Sequence, residues 1–129
     1  MKDILGKNAA DKVSNFNGVV TGCAEYQMGR SEVLISPVVE VNKGVKSEWF
    51  PEERVIFIGG EKVCVGFAET FNDSWLGKKA RDKATGFTGT VNSVAHYLGE
   101  SSRCQLVAES VDNKPAESLW VGVNRIELI

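Results

Sequence analysis

An internal repeat constrains the possible folds of this chain more than any other feature. Residues 5–58 overlay residues 76–129 with a constant offset of 71 and without a gap. The match continues through predicted turns as well as predicted strands, which indicates a duplicated structural unit rather than a shared composition. The identical pairs include Gly6 with Gly77, Lys7 with Lys78, Phe16 with Phe87, Gly18 with Gly89, Tyr26 with Tyr97, Asn42 with Asn113, Ser47 with Ser118, Trp49 with Trp120, and Arg54 with Arg125.

Each unit has the sequence pattern of an all-β fold. Phe16, Gly18, Val20, Ala24 and Tyr26 share one strand parity, and so do their matched residues, which predicts a face held towards a core. The opposite parity differs between the units and is therefore predicted to face solvent or an interface. Its members are Thr21, Cys23 and Glu25 in the first unit, and Asn92, Val94 and His96 in the second.

Turns are predicted at matched places in the two units. Asn15 and Gly86 occupy the same position before the long strand, and these residue types are the most tolerant of a positive φ. Asp11 and Asp82 precede that turn and are expected to hold it by side-chain hydrogen bonds rather than to bind a ligand. Between the units, the Gly-Gly pair at 59–60 predicts a turn that joins two strands.

The domain organisation follows from these patterns. We expect a first small β-barrel over residues 1–58, a connecting hairpin and linker over 59–75, and a second small β-barrel over 76–129. Units of about 55 residues bury a low fraction of their surface, so we expect the two to pack on one another. A pseudo-two-fold arrangement, as in a fused homodimer, is the expected geometry.

Composition and charge limit the classes of partner. With 43% hydrophobic and 25% charged residues, the chain has the composition of a globular protein. A net charge of -2 provides no strong positive field, so nucleic-acid binding is not favoured. No apolar run approaches the roughly 20 residues of a membrane-spanning helix, and the N-terminal segment does not resemble a signal peptide. We therefore expect a cytoplasmic protein that does not bind membranes.

The residues that could carry catalysis or bind metal are few. Cys23, Cys64 and Cys104 lack metal-ligand spacing and are predicted to be free, mostly buried thiols. His96 is the single histidine, so no multi-histidine metal site can form. Cys23 and His96 lie in matched strands and could meet as a thiol and a base, but a buried thiol and a surface imidazole are the favoured interpretation. We predict no enzyme activity, no metal and no cofactor.

Aromatic and divergent positions are the candidates for an interaction surface. Repeated aromatic residues can pack in a core or contact a partner. At matched positions, Glu48 of the first unit is replaced by Leu119, and Glu52 by Val123. Apolar residues that replace a solvated acidic edge are predicted to be covered by the sister unit, a second copy or a partner. The candidate surface comprises Leu119, Val123, Trp49, Trp120, Tyr26 and Tyr97.

A resemblance to a known group of proteins enters at these same motifs. The string KARDKATGFTGTV, followed by AHYL and SLWVGVNRIEL, resembles short uncharacterised proteins of bacteriophages and prophages. In the first unit, AEY and SEWFPEERV are similar to other parts of the same pattern. The resemblance implies SH3-like small barrels and a viral origin, and it implies no catalytic residues.

Three functions remain open at this point. The leading hypothesis is a non-enzymatic phage or prophage protein that acts through protein contacts in the host bacterial cytoplasm. It would be a host-directed factor or a minor virion component such as a decoration protein. The alternatives are a nucleic-acid-binding small barrel, by analogy of fold alone, and a protein that sequesters a small molecule in a pocket between the repeats. A homo-oligomer is compatible with each of the three.

Overall fold

The computed structural model of the chain describes residues 2–39, 44–60, 62–63 and 73–129. The prediction of an all-β fold is confirmed, because the described elements are strands and single-turn 3₁₀ helices. The 3₁₀ turns comprise Lys2–Ile4, Glu52–Arg54, Asp73–Trp75 and Val123–Arg125. The strands are β1 (Asn8–Asp11), β2 (Asn17–Tyr26), β3 (Ser31–Ser36), β4 (Glu48–Pro51), β5 (Val55–Ile58), β6 (Lys79–Asp82), β7 (Thr88–Tyr97), β8 (Glu100–Val107), β9 (Ser118–Gly122) and β10 (Ile126–Leu128).

The ten described strands form one open antiparallel sheet. Its main path runs β10-β6-β7-β2-β1-β5, while β3 and β4 continue from β2, and β8 and β9 continue from β7. Each half therefore has the same internal order, in which its last strand pairs with its first. In each half a 3₁₀ turn joins the fourth strand to the fifth.

The halves meet where β2 pairs with β7. Ala24 lies opposite Ala95, its own match in the repeat, and Gly22 lies opposite Tyr97. Tyr26 lies opposite Ser93. Because Tyr26 matches Tyr97 and Ser93 matches Gly22 in the repeat, this is the same pair with the halves exchanged. The register of the junction is thus symmetric about the Ala24–Ala95 pair. Ala24 and Ala95, at its centre, are both buried.

Each half has its own hydrophobic core. Ile35 and Leu106 are matched in the repeat and are fully buried in the first and second core respectively. The first core consists of Ala9, Val20, Val33, Ile35, Phe50 and Val55, and the second of Ala80, Val91, Val94, Cys104, Leu106, Val121 and Ile126.

The prediction of one constant core parity along the long strand is wrong. The register of β2 against β3 shifts between Val20 and Gly22, and the register of β7 against β8 shifts between Val91 and Ser93. Each shift is a β-bulge, and one extra residue turns the following side chains to the other face of the strand. Beyond the bulge, residues of both parities are buried: Ala24 and Ala95 of the predicted core face, and Cys23, Val94 and His96 of the face predicted to meet solvent or an interface. Cys23 and His96 lie opposite each other where the halves meet, in agreement with the interface alternative.

The predicted turns before the long strands are confirmed. Asn15 has a φ of 62° and Gly86 a φ of 80°, so both lie in the left-handed region that asparagine and glycine tolerate. In both halves the backbone N–H of this residue donates to the carbonyl of the preceding aspartate, Asp11 or Asp82. The strand predicted to return after the Gly-Gly pair lies largely outside the described residues.

Candidate functional site

Two matched aspartate–arginine pairs hold the fold rather than a ligand. Arg54 donates from Nε and Nη2 to the two carboxylate oxygens of Asp11, at 2.9 and 2.6 Å. Arg125 makes the same two bonds to Asp82, at 3.0 and 2.6 Å. The carboxylates also accept hydrogen bonds within their turns, from Ser14 and from Ala84 and Thr85. The prediction that these aspartates hold their turns is confirmed.

The same contacts predict how acid affects the protein. The arginines, together with the turn donors, hold the pKa of Asp11 and Asp82 well below the usual value of 3.8. A depressed carboxyl pKa stabilises the fold above the unfolded-state value, and this contribution is lost as the pH falls below it. We expect the melting temperature to fall steadily below about pH 4. Circular dichroism melts will test this against the Asp11→Asn/Asp82→Asn variant, which should be less stable at pH 6 and less sensitive to acid. An equal acid response in both proteins would contradict the assignment.

A stacked cation covers Tyr26 in the first half. The Arg30 guanidinium lies 4.2 Å from the centre of the Tyr26 ring. Its Nε is 3.9 Å from Oε1 of Glu32, and the Tyr26 hydroxyl donates to Oε2 of the same carboxylate at 3.4 Å. Burial and the Glu32 charge raise the pKa of Tyr26. The aromatic face at this position is therefore occupied by the chain's own arginine.

A cavity lies at the matched position of the second half. Its volume is about 600 Å³, and its walls include Tyr97, Arg103 and Trp120. Here the hairpin between β7 and β8 is tighter than its counterpart, since Tyr97 pairs with Glu100, and the register shifts between Ala95 and Tyr97. The complete lining is Tyr97, Glu100, Ser101, Ser102, Arg103, Trp120, Val121, Gly122 and Arg125. This cavity lies within the second half and not between the halves, where the sequence placed a pocket.

The predicted aromatic residues lie at matched places, but their surroundings differ. Trp49 of the first half contacts Tyr97 of the second, with ring centroids 6.3 Å apart and an edge-to-face angle of 79°. Trp120 lines the cavity. The two tryptophans are 40% and 43% exposed, so neither is a core residue. Contact of these side chains with a partner stays a prediction.

Leu119 and Val123 have a packing role within their own half. Both are half-buried against the second core, whereas their counterparts Glu48 and Glu52 are exposed. Their apolar character therefore has a cause within the second half. An additional contact with a partner stays a prediction.

The thiol and the imidazole singled out in the sequence do meet at the junction. Cys23 and His96 are directly opposite in the β2–β7 pair, so their side chains project from the same face of the sheet. The prediction of a surface imidazole is wrong, because His96 is buried and its Nδ1 lies 2.6 Å from Oγ of the buried Ser102. Since Cys23 is buried as well, a substrate could reach this pair only if the junction opened.

The predicted thiol states are confirmed for the described cysteines. Cys23 and Cys104 are free and buried. Burial raises the pKa of the Cys104 thiol to about 12, which keeps it protonated and unreactive near neutral pH. Cys64 lies outside the described residues.

The outer edge of β5 is apolar. Ile56, Phe57 and Ile58 are consecutive and 47–49% exposed. Among the described strands, none pairs with the edge of β5 that faces away from β1. Beside it, a cavity of about 700 Å³ is lined partly by Phe16, Val38 and Ile58. In β10, the matched strand, an ion pair of Glu127 with Arg81 stands at the positions of Ile56 and Ala10.

Comparisons of the chain with protein-family models, curated proteins and solved structures find no match. Among the described residues, no helix is long and apolar enough to cross a membrane. Within the same residues, no group of three or more histidine, cysteine, aspartate or glutamate side chains is placed to hold a metal ion.

Proposed function

We propose that this chain is a non-enzymatic interaction protein of phage or prophage origin, built from two SH3-like units, which binds a protein partner along the edge of β5. The carrying observation is the run of three half-exposed apolar residues, Ile56–Ile58, on a strand edge that no described strand covers. The origin rests on the resemblance of the repeated motifs. The SH3-like assignment is supported by the five-strand order of each half and by its 3₁₀ turn before the last strand.

The backbone of β5 is arranged for the addition of a strand. Lys12 N–H donates to the carbonyl of Arg54, so Ile56 and Ile58 belong to the pairs that exchange hydrogen bonds with β1. The backbone N–H and C=O of Phe57 consequently point away from β1. A partner strand could hydrogen-bond there while its side chains cover the apolar residues, which is a common mode of peptide recognition.

The contrast with β10 supports a role for this edge. Natural sheets protect exposed edges with charged side chains, and the Arg81–Glu127 pair supplies them in β10. The matched positions of β5 carry Ala10 and Ile56 instead. Without such charges at these positions, the edge of β5 is open to a partner protein. The partner is a host or virion protein, and a second copy of the chain is the other occupant that the experiment distinguishes.

The test replaces apolar residues of β5 with charge. Ile56→Glu/Phe57→Glu should weaken capture of a protein partner from a lysate of the host bacterium by about tenfold or more, since two half-buried contacts are lost. Leu128→Glu, which changes the residue matched to Phe57, serves as the control and should capture the partner normally. Light scattering will show whether the occupant is a second copy of the chain. In that case the double variant changes the oligomeric state, whereas with a different partner protein it does not. Equal capture by the double variant and the unchanged chain would disprove the proposal. So would an unchanged chain that is monomeric and captures no protein.

The charge of the chain does not favour the nucleic-acid alternative. The net charge is -2, and the apolar edge of β5 offers no row of cations for a phosphate backbone.

A further inference from the structure

In the first half, the aromatic ring of Tyr26 binds a cationic group of the chain itself. There the guanidinium of Arg30 lies over the ring of Tyr26, and Glu32 stands beside it as the counter-charge. The arrangement amounts to a flat cationic group held between an aromatic face and a carboxylate. Because all three groups belong to the chain, the site in the first half is already filled.

The second half keeps the aromatic ring and changes the other two groups. Tyr97 matches Tyr26, but Ser101 stands in place of Arg30 and Arg103 in place of Glu32. The first change removes the arginine that stacks on the ring. Tyr97, whose ring also contacts Trp49, forms part of the wall of the cavity of about 600 Å³. The second change replaces a carboxylate with a guanidinium. The second half therefore has an open site of the opposite charge preference.

The neighbouring charges agree with an anionic ligand. Arg125 also lines the cavity, but its Nε and Nη2 donate to Asp82, so Arg103 is the guanidinium that a ligand anion would meet. Glu100 is the acidic residue of the lining. Burial raises the pKa of Tyr97, and the charge of Arg103 opposes that rise.

We propose that this cavity binds a small molecule consisting of a planar ring that carries a phosphate or a carboxylate. The ring would pack against Tyr97 and Trp120, and the anion would accept hydrogen bonds from Arg103, since charge-assisted bonds to guanidinium are strong. The cavity volume lies within the range of sites for small ligands. The site is independent of the protein contact at β5, which belongs to the other half.

The experiment uses defined probes with the full chain. Calorimetric titration with AMP, with adenosine and with ribose 5-phosphate separates the contribution of the ring from that of the anion. Indole-3-acetate and its amide provide the same comparison for a carboxylate. We expect either AMP or indole-3-acetate to bind at one site per chain. The matched compounds that lack the anion or the ring should bind at least about tenfold more weakly. Amide NMR shifts should concentrate near Tyr97, Arg103 and Trp120.

Two variants locate the binding. Ser101→Arg/Arg103→Glu copies the first half, and its own stacked arginine should abolish binding. Arg103→Gln keeps the cavity open and should weaken binding at least about tenfold. Both residues are exposed, so the variants should melt like the unchanged protein. The proposal fails if no anionic ring compound binds at millimolar concentration, or if binding persists in Arg103→Gln. It also fails if only an acidic peptide such as Glu-Tyr-Glu binds, since the site would then recognise a protein segment.

Discussion

Gly18→Ala is expected to reduce the free energy of unfolding by about 3 kcal/mol, near the upper end of overpacking costs. A methyl group at residue 18 would lie 2.1 Å from the carbonyl oxygen of Ser36 and 2.8 Å from Cα of Pro37. Both atoms belong to the backbone, so no side-chain rotation can relieve the contact. The strand β2 or the end of β3 would have to move, and the hydrogen bonds around the bulge would be weakened.

The repeat supplies a second site and the chain supplies a control. At Gly89 the corresponding methyl group would lie 2.6 Å from the carbonyl oxygen of Val107, so Gly89→Ala should destabilise the protein by a smaller amount. Gly44→Ala should be nearly neutral, because among the described residues that are not its chain neighbours no atom lies within 4 Å of the added group. Urea unfolding of the three variants will rank them. Equal unfolding midpoints for Gly18→Ala and Gly44→Ala would show that the close approach is not present in solution.

The repeat made local features of the fold predictable, because matched residues in the two halves have similar neighbours in the sequence. The positive φ of Asn15 and the turn bonds of Asp11 depend on a few adjacent residues, and residue type indicates them directly. The bulge at Thr21 was not predictable in this way. A bulge is present in both halves, so comparing the halves does not reveal it. Beyond it, residues of both parities are buried.

The candidate sites depend on side-chain contacts that the residue types do not indicate. The changes from Arg30 to Ser101 and from Glu32 to Arg103 are visible in the aligned units. What the sequence cannot show is that Arg30 lies on the ring of Tyr26, since an exposed arginine ordinarily extends into solvent. The exposure of the apolar run at Ile56–Ile58 depends on which edge of its strand is paired. Edge position is a property of the whole sheet.

Removing a buried side chain from either core should reveal how strongly the halves depend on each other. Ile35→Ala and Leu106→Ala truncate matched, fully buried residues, and each should cost about 2–5 kcal/mol. We expect each variant to lower a single unfolding transition of the whole chain. The physical reason is the β2–β7 pair, where Cys23 and Ala24 are buried together with Val94 and Ala95. Unfolding of one half would expose these apolar residues and the backbone groups that bond them.

Tryptophan in both halves allows a direct measurement. Trp49 lies in the first half, whereas Trp75 packs against the second core and Trp120 lines the cavity of the second half. Trp49→Phe therefore leaves the fluorescence of the second half, and Trp75→Phe/Trp120→Phe leaves that of the first. In a Leu106→Ala background, both signals should change at the same urea concentration, below that of the unchanged protein. Leu128→Ala, at a partly exposed position, should shift neither signal substantially. If the signal of the second half alone moved, the halves would be independent folding units. The junction would then contribute little to stability, despite its continuous strand pairing.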